Sequence, residues 1–213
     1  MYVHRRMTAN PYTIVVDAPI DEAIELMRAK NIKRIPVTRD DKVVGMLTQA
    51  DIQALSSPKA TTLSVFELNY LLSKAKVRDA MSKMVISISP GALLEEAAVL
   101  MRENRVGALM VMQDNQLVGI ITESDIFDAF IDLLGFRVVG TRITVEAADV
   151  PGALAAICET FRSFGANITH TAVYRGNASK SEVVIRTNMM KTEAIEKKLE
   201  EQGYKIVHVL KNE

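Results

Sequence analysis

The sequence predicts an α/β protein in two parts: a duplicated β-α-β-β-α module over the first two thirds of the chain and one β-α-β-β-α-β unit behind it. Three observations carry this. The stretch Gly45 to Ile52, Gly-Met-Leu-Thr-Gln-Ala-Asp-Ile, returns at Gly119 to Ile126 as Gly-Ile-Ile-Thr-Glu-Ser-Asp-Ile. The likeness extends without a gap at one offset of 74 residues, pairing Met7-Thr8 with Met81-Ser82, Glu22-Ala23 with Glu96-Ala97 and Leu26-Met27-Arg28 with Leu100-Met101-Arg102. After Phe130 that register is lost, and apolar residues alternate or recur at helical spacing in a new order.

In the first copy Ile20, Ala23, Ile24 and Met27 fall at helical spacing, and Asp21 and Glu22 place acid in the first turn, where the helix dipole favours it. Ile20 to Ala29 is therefore an amphipathic helix. Ile35-Pro36-Val37-Thr38 reads as a short strand with proline at its start or edge, Asp40-Asp41 as a turn, and Val43 to Leu47 as the next strand, with a helix from Thr48. The second copy repeats the order: helix Leu94 to Glu103, strand Ala108 to Met112, turn Asp114-Asn115, strand Leu117 to Ile121, helix from Thr122. Each copy leaves apolar surface that the other can cover. Between them, a loop is followed by Val65, Leu68, Leu71 and Leu72 at helical spacing, a linking helix from Ser64 to Lys74.

Behind the repeats, Arg142 to Glu146 alternates, Ala147 to Gly152 is a turn, and Ala153 to Phe164 is an amphipathic helix ended by Gly165. Strand Ile168 to Tyr174, a hairpin loop Arg175 to Lys180, strand Glu182 to Thr187, helix Lys191 to Gln202 and strand Lys205 to Leu210 follow. That order is the ferredoxin-like split βαβ. Expected bounds are 1–56 and 77–133 for the repeats, 57–76 for the linker and 136–213 for the last unit.

Composition narrows the function. The 213 residues exceed the usual single domain, and Lys plus Arg equal Asp plus Glu at 26 each, so no whole-molecule field gathers nucleic acid or an anionic membrane. The one cysteine, Cys158, allows no internal disulfide and reads as a small core residue in a reducing compartment. No run approaches a membrane span, and the N-terminus has no apolar stretch behind its charges, so a cytoplasmic protein is expected. His4, His170 and His208 stand apart without metal-ligand spacing, and no nucleophile elbow or phosphate-binding glycine loop is written, so catalysis has no support and no cofactor or metal is expected. The eleven methionines, Met27, Met81, Met101, Met110 and Met112 among them, suit adaptable core or a surface that repacks.

The chemistry sits at the strand-to-helix junctions. Thr48 lies beside free backbone N–H groups that attract phosphate, and the Asp51 carboxylate can accept two hydrogen bonds from ribose hydroxyls. Neighbouring segments Thr13-Ile14-Val15 and Arg34-Ile35-Pro36 complete a first candidate nucleotide site. Thr122 and Asp125, with Ser87-Ile88-Ser89 and Ala108-Leu109-Met110, make the second. A Thr followed three positions later by an acid is equally a helix cap, stabilising by ~1 kcal/mol with no ligand. Both roles fit the repeated pattern. Lys33 and Arg34 stand where the second copy has Gly107 and Ala108, so the first site is expected to prefer the more highly phosphorylated ligand.

The duplicated unit, with Gly-x-x-Thr-x-x-Asp twice and Arg34-Ile35-Pro36-Val37 in its strand, resembles a pair of cystathionine-β-synthase (CBS) domains, a Bateman module. The resemblance implies AMP, ADP, ATP or a related adenosyl ligand between the repeats, held by the Thr and Asp of the signature. Met110, where the first copy has Pro36, departs from the pattern at the adenine wall. The last unit resembles an ACT domain: Asp149-Val150-Pro151-Gly152-Ala153-Leu154 matches its first strand-to-helix loop and Gly165-Ala166-Asn167-Ile168 its next turn. This implies dimerisation and a candidate amino-acid site at Asp149, Gly152, Ala153, Leu154, Asn167 and Ile168, while Asp149 as a helix cap is the purely structural alternative. The whole order is similar to the bacterial acetoin utilisation protein B family.

The expected function is thus a non-catalytic regulatory protein, a homodimer sensing adenine nucleotides and acting on a regulated protein that the sequence does not identify. The alternatives are a ligand-free scaffold or a regulatory subunit of an acetoin or acetyl-CoA pathway enzyme.

Overall fold

The computed structural model of the chain describes residues 1–56, 74–175 and 179–212. The expected linking helix, up to residue 73, and the tip of the 175–180 loop lie outside the described residues. The chain forms two compact units, Met1–Ile126 and Phe127–Glu213.

The first unit opens with a 3-10 turn (Val3–Arg5), then β1 (Thr8–Ala9) and β2 (Ile14–Val15), followed by α1 (Ile20–Lys30), β3 (Arg34–Arg39), β4 (Lys42–Thr48) and α2 (Gln49–Ser56). β2 lies parallel to β3, which requires a crossover, and α1 supplies it. β3 returns as β4 through Asp40 and Asp41, at φ 50° and 59°, the two-residue turn whose left-handed residues suit the strand twist. The second repeat comes next as α3 (Val77–Ala80), β5 (Ser87–Ile88), α4 (Leu94–Asn104), β6 (Ala108–Gln113), β7 (Gln116–Thr122) and α5 (Glu123–Leu133). Its hairpin turns on Asp114 and Asn115 at φ 49° and 64°. Both helices after the threonines begin one residue later than the periodicity suggests, because Thr48 and Thr122 close their strands and cap α2 and α5.

Linear periodicity does not reveal how the copies exchange their leading segments. β1 pairs with β7 of the second repeat, Thr8 opposite Ile120, while Ser82 bridges Met46 on β4 of the first. Further bonds repeat the exchange: Val3 N–H donates to Ala92 O and Val77 N–H to Ala18 O, both at 2.9 Å. Val3 and Val77 are fully buried at these crossings. Glycine is required where the visitor passes. A Cβ on Gly45 would stand 2.5 Å from the Ser82 carbonyl oxygen, and one on Gly119 2.5 Å from Met7 Sδ.

Ile14, Ile20, Ala23, Met27, Ile35, Val37, Leu47 and Ile52 form the core of the first repeat. Met46, Met110 and Ile120 form a smaller buried cluster shared by the two repeats. Each large side chain so buried contributes ~1.5–3 kcal/mol over leaving it in water.

The second unit contains β8 (Gly140–Ala148), α6 (Ala153–Ser163), β9 (Ile168–Arg175), β10 (Lys180–Thr187), α7 (Glu193–Glu201) and β11 (Lys205–Asn212). The sheet is antiparallel in the order β11-β8-β10-β9, the ferredoxin-like arrangement. Ile143, Val145 and Ala147 on β8 and Val183 and Ile185 on β10 pack with Ile157 and Phe161 of α6 and Ile195 and Leu199 of α7. α6 ends where Gly165, at φ 70°, sends its N–H to Arg162 O while Ala166 N–H reaches Phe161 O. Asp149 does not cap α6. Gly152 holds that position at φ 89°, and the Asp149 carboxylate lies 3.5 Å from Arg175 Nε.

Cys158 is half-buried, and burial pushes its thiol up from the ordinary value, as for a structural cysteine. Among the described residues no helix is long and apolar enough to cross a membrane, and no cluster of metal-ligating side chains is present.

Candidate functional site

Thr48 is the last residue of β4 and Asp51 lies in the first turn of α2. Thr48 donates to Asp51 Oδ2 twice, from its N–H at 2.8 Å and its hydroxyl at 2.6 Å, and the hydroxyl accepts from Asp51 N–H at 3.2 Å. Thr122 and Asp125 repeat these bonds at 2.7, 2.8 and 3.4 Å. The cap is therefore formed in both copies. It engages one carboxylate oxygen. Oδ1 of Asp51 makes no hydrogen bond among the described residues, and the carboxylate lines a cleft of about 270 Å³. Capping and gripping are thus compatible: the cap fixes the carboxylate by Oδ2 and leaves Oδ1 for a hydroxyl donor.

Both repeats line this cleft. Arg34, Met46, Thr48 and Asp51 come from the first, and Ser82, Met84, Ile86, Arg105, Gly107, Ala108 and Met110 from the second repeat and the segment leading into it. Two guanidinium groups and one carboxylate in an otherwise largely apolar cleft suit a ligand with an anionic end, vicinal hydroxyls and a flat apolar body. Gly107 makes room for Arg34: a Cβ there would stand 2.5 Å from Arg34 Nη2 and 2.9 Å from Glu123 Oε2.

Of the residues expected at the first site, Arg34, Thr48 and Asp51 meet at the cleft. Ile14 and Ile35 are buried in the first core, Pro36 is buried opposite Met46 in the hairpin, and Thr13 and Val15 are exposed. Of those expected at the second, Ala108 and Met110 line the Thr48 cleft. Leu109 is fully buried, and Ser87 and Ile88 pair with Met110 and Val111 as β5. Ser89 Oγ accepts the Gly91 N–H at 3.3 Å, and Thr122 and Asp125 form their own cap. Ser82, Met84, Ile86 and Arg105 escape a reading of the sequence by copies. The one signal for them is the glycine at the same place in each repeat, which marks a close backbone approach.

In the second unit Asp149, Ala153 and Leu154 line a cavity of about 520 Å³ with Arg175, and Gly152 and Ala153 line another of about 730 Å³. Glu146, on the larger cavity, is held below its ordinary value by the Lys180 ammonium at 2.7 Å. Asn167 and Ile168 lie elsewhere. Ile168 is level with Thr141 across the sheet and Arg175 with Ala147, a separation of ~20 Å along the strands. Asn167 N–H donates to Asn188 Oδ1 at 3.3 Å.

Residues 3–57 and 77–132 match the family described as CBS domain, and 139–210 the one described as TTHA0829-like ACT domain. A structure assigned to the acetoin utilization protein AcuB of Vibrio cholerae is 30% identical, with 63% of this chain and 93% of that one covered and a TM-score of 0.52. CBSX2, solved in complex with AMP, is 27% identical over 62% of this chain and 97% of that one, with a TM-score of 0.52. The inosine-5'-monophosphate dehydrogenase of Thermoplasma acidophilum is 31% identical over 139 residues, 62% of this chain, which spans only 25% of that enzyme.

Proposed function

Because the chain belongs to the CBS-domain family, we propose that it is a non-catalytic regulatory protein that binds an adenine nucleotide in the cleft at Thr48 and Asp51. One observation carries this reading: a carboxylate anchored by Oδ2, with Oδ1 uncommitted, in a cleft that also holds Arg34 and Arg105. Ribose hydroxyls donate to Oδ1, phosphate lies between the two arginines, and Met46 and Met110 pack the purine. Thr13, Ile14, Val15, Ile35 and Pro36 frame the strands around it. Asn31 and Lys33 are the counterparts of Arg105 and Gly107 at the 74-residue offset, and in this reading they belong to a second site on Thr122 and Asp125, framed by Ser87, Ile88, Ser89 and Leu109. With two arginines, the first cleft takes the more highly phosphorylated nucleotide. The AMP complex of CBSX2 supports the ligand class.

In this reading the chain is a cytoplasmic homodimer joined through its ACT-like unit, whose Asp149–Leu154 loop takes an amino acid. Asn167 and Ile168, ~20 Å away in the same chain, reach that loop only from a second copy. Nucleotide favours one arrangement of the repeats, and a tenfold preference between states shifts their balance by ~1.4 kcal/mol in favour of one form of a regulated protein partner. The likeness to AcuB supports acetoin utilisation as the regulated process in this reading.

A thermal-shift panel of AMP, ADP, ATP, S-adenosylmethionine and NAD tests this, since a ligand at 100 times its dissociation constant adds ~2.7 kcal/mol of stability. A shift with an adenine nucleotide, lost in Asp51→Ala, is expected. No shift with any of them favours a scaffold whose Asp51 and Asp125 serve only their own threonines.

A further inference from the structure

We propose that the face of the C-terminal sheet turned away from α6 and α7 holds a small organic acid, its carboxylate on Arg186 and Arg142 and its apolar body under the end of α5. Arg142 on β8 stands opposite Arg186 on β10, which stands opposite His170 on β9, so three basic side chains form one row across the sheet. Arg186 is only 5% exposed, and its Nε is buried without a hydrogen-bond partner, as is His170 Nδ1. Among the described residues no carboxylate pairs with Arg142 or Arg186. Burying a cation without an anion, and setting a like charge directly across the ladder, both cost stability. Burial and the Arg142 charge together lower the proton affinity of Arg186, in that order.

The row opens into a cavity of about 310 Å³, within the range of small-molecule sites. Phe130, Ile131 and Leu134 form its apolar wall, and Phe136 stands over the Arg186 guanidinium with its ring centre 5.8 Å away. Gly135, at φ 64°, lets the chain turn there and packs so closely on the His170 ring that no Cβ fits. Two guanidinium groups supply the forked donors a carboxylate matches, while the wall offers nothing to further charges. A free amino acid is disfavoured, because no acid lines the cavity to meet its ammonium. This ligand is therefore distinct from an amino acid at the Asp149 loop, and its site is independent of the nucleotide cleft.

The test titrates the full chain with 3-methylbutanoate and benzoate, following heat of binding and the His170 side-chain NMR signals. 3-Methylbutanol, leucine and inorganic phosphate serve as controls. The acids are expected to bind and shift His170, and each control to bind at least about tenfold more weakly. Arg186→Met is expected to weaken the acids about tenfold or more, and to raise the unfolding midpoint of the unliganded chain, since it removes an unmatched buried charge. A residue serving only structure would instead lower that midpoint. Should Arg186→Met not fold, Arg142→Met carries the same binding readout. No His170 shift with either acid up to about 10 mM, or acid affinity unchanged in the variant, overturns the proposal.

Discussion

The two Thr-x-x-Asp junctions are alike in what they do to the backbone and unlike in what stands around them. Thr48–Asp51 and Thr122–Asp125 make the same three bonds, so the start of each adjoining helix is solved identically. Their surroundings differ at Pro36 against Met110, Arg34 against Ala108 and Asn31 against Arg105. A cap needs only an acceptor and the right spacing, whereas a ligand also needs walls. At the Thr48 cleft, most of the wall is contributed by the second repeat and the segment leading into it. Sameness of the motif therefore says little about sameness of the ligand.

The two copies are expected to differ most at their glycines. Gly45 faces a backbone oxygen at 2.5 Å, while the nearest obstacle at Gly119 is the flexible Met7 side chain, with the Thr8 oxygen at 3.2 Å. Gly45→Ala is therefore expected to cost ~2–3 kcal/mol and Gly119→Ala ~1 kcal/mol in urea denaturation. Equal losses would mean that the exchanged segments are held equally loosely.

A smaller effect separates cap from grip. An asparagine amide oxygen can accept the same two bonds from Thr48, so Asp51→Asn should cost stability only ~0.3–1 kcal/mol, the lost attraction between the charge and the start of α2. It should nevertheless weaken AMP about tenfold, because a charged acceptor becomes neutral. Calorimetry and denaturation on the same variant decide it: parallel losses in both would reduce Asp51 to a cap. The charge on the wall comes next, with Arg34→Met expected to lower ATP affinity by ~1 kcal/mol more than AMP affinity. Smallest is the test of who lines the cleft. Met110→Ala should weaken AMP by ~1 kcal/mol and Pro36→Ala should not, although Pro36 is the residue the motif singles out. The opposite outcome would return each cleft to a single repeat.

Much of this architecture was legible in the sequence because it is local. Turn residues Asp40-Asp41 and Asp114-Asn115, the stripe through Ile20, Ala23 and Met27, and Gly165 after α6 each act within a few residues of themselves. Periodicity says that a face is buried, however, and not against which copy. Thr8 and Ser82 look like ordinary polar residues ahead of each repeat, and their exchange depends on pairing with Ile120 and Met46, each far away in the chain. Asp149 reads as a helix cap until Arg175 is seen beside it. Arg186 occupies an alternate position in a strand, where solvent is the default, and it is enclosed by Phe136 and the other residues that line its cavity, which lie far from it in the chain.

Whether Asp51 holds a nucleotide with the oxygen its cap leaves over is decided by a structure of the full chain grown with AMP. Ribose hydroxyls are expected on Asp51 Oδ1, with both Thr48 bonds to Oδ2 retained and the phosphate between Arg34 and Arg105. AMP seated elsewhere, or a Thr48 cleft without nucleotide at saturating AMP, would contradict that expectation.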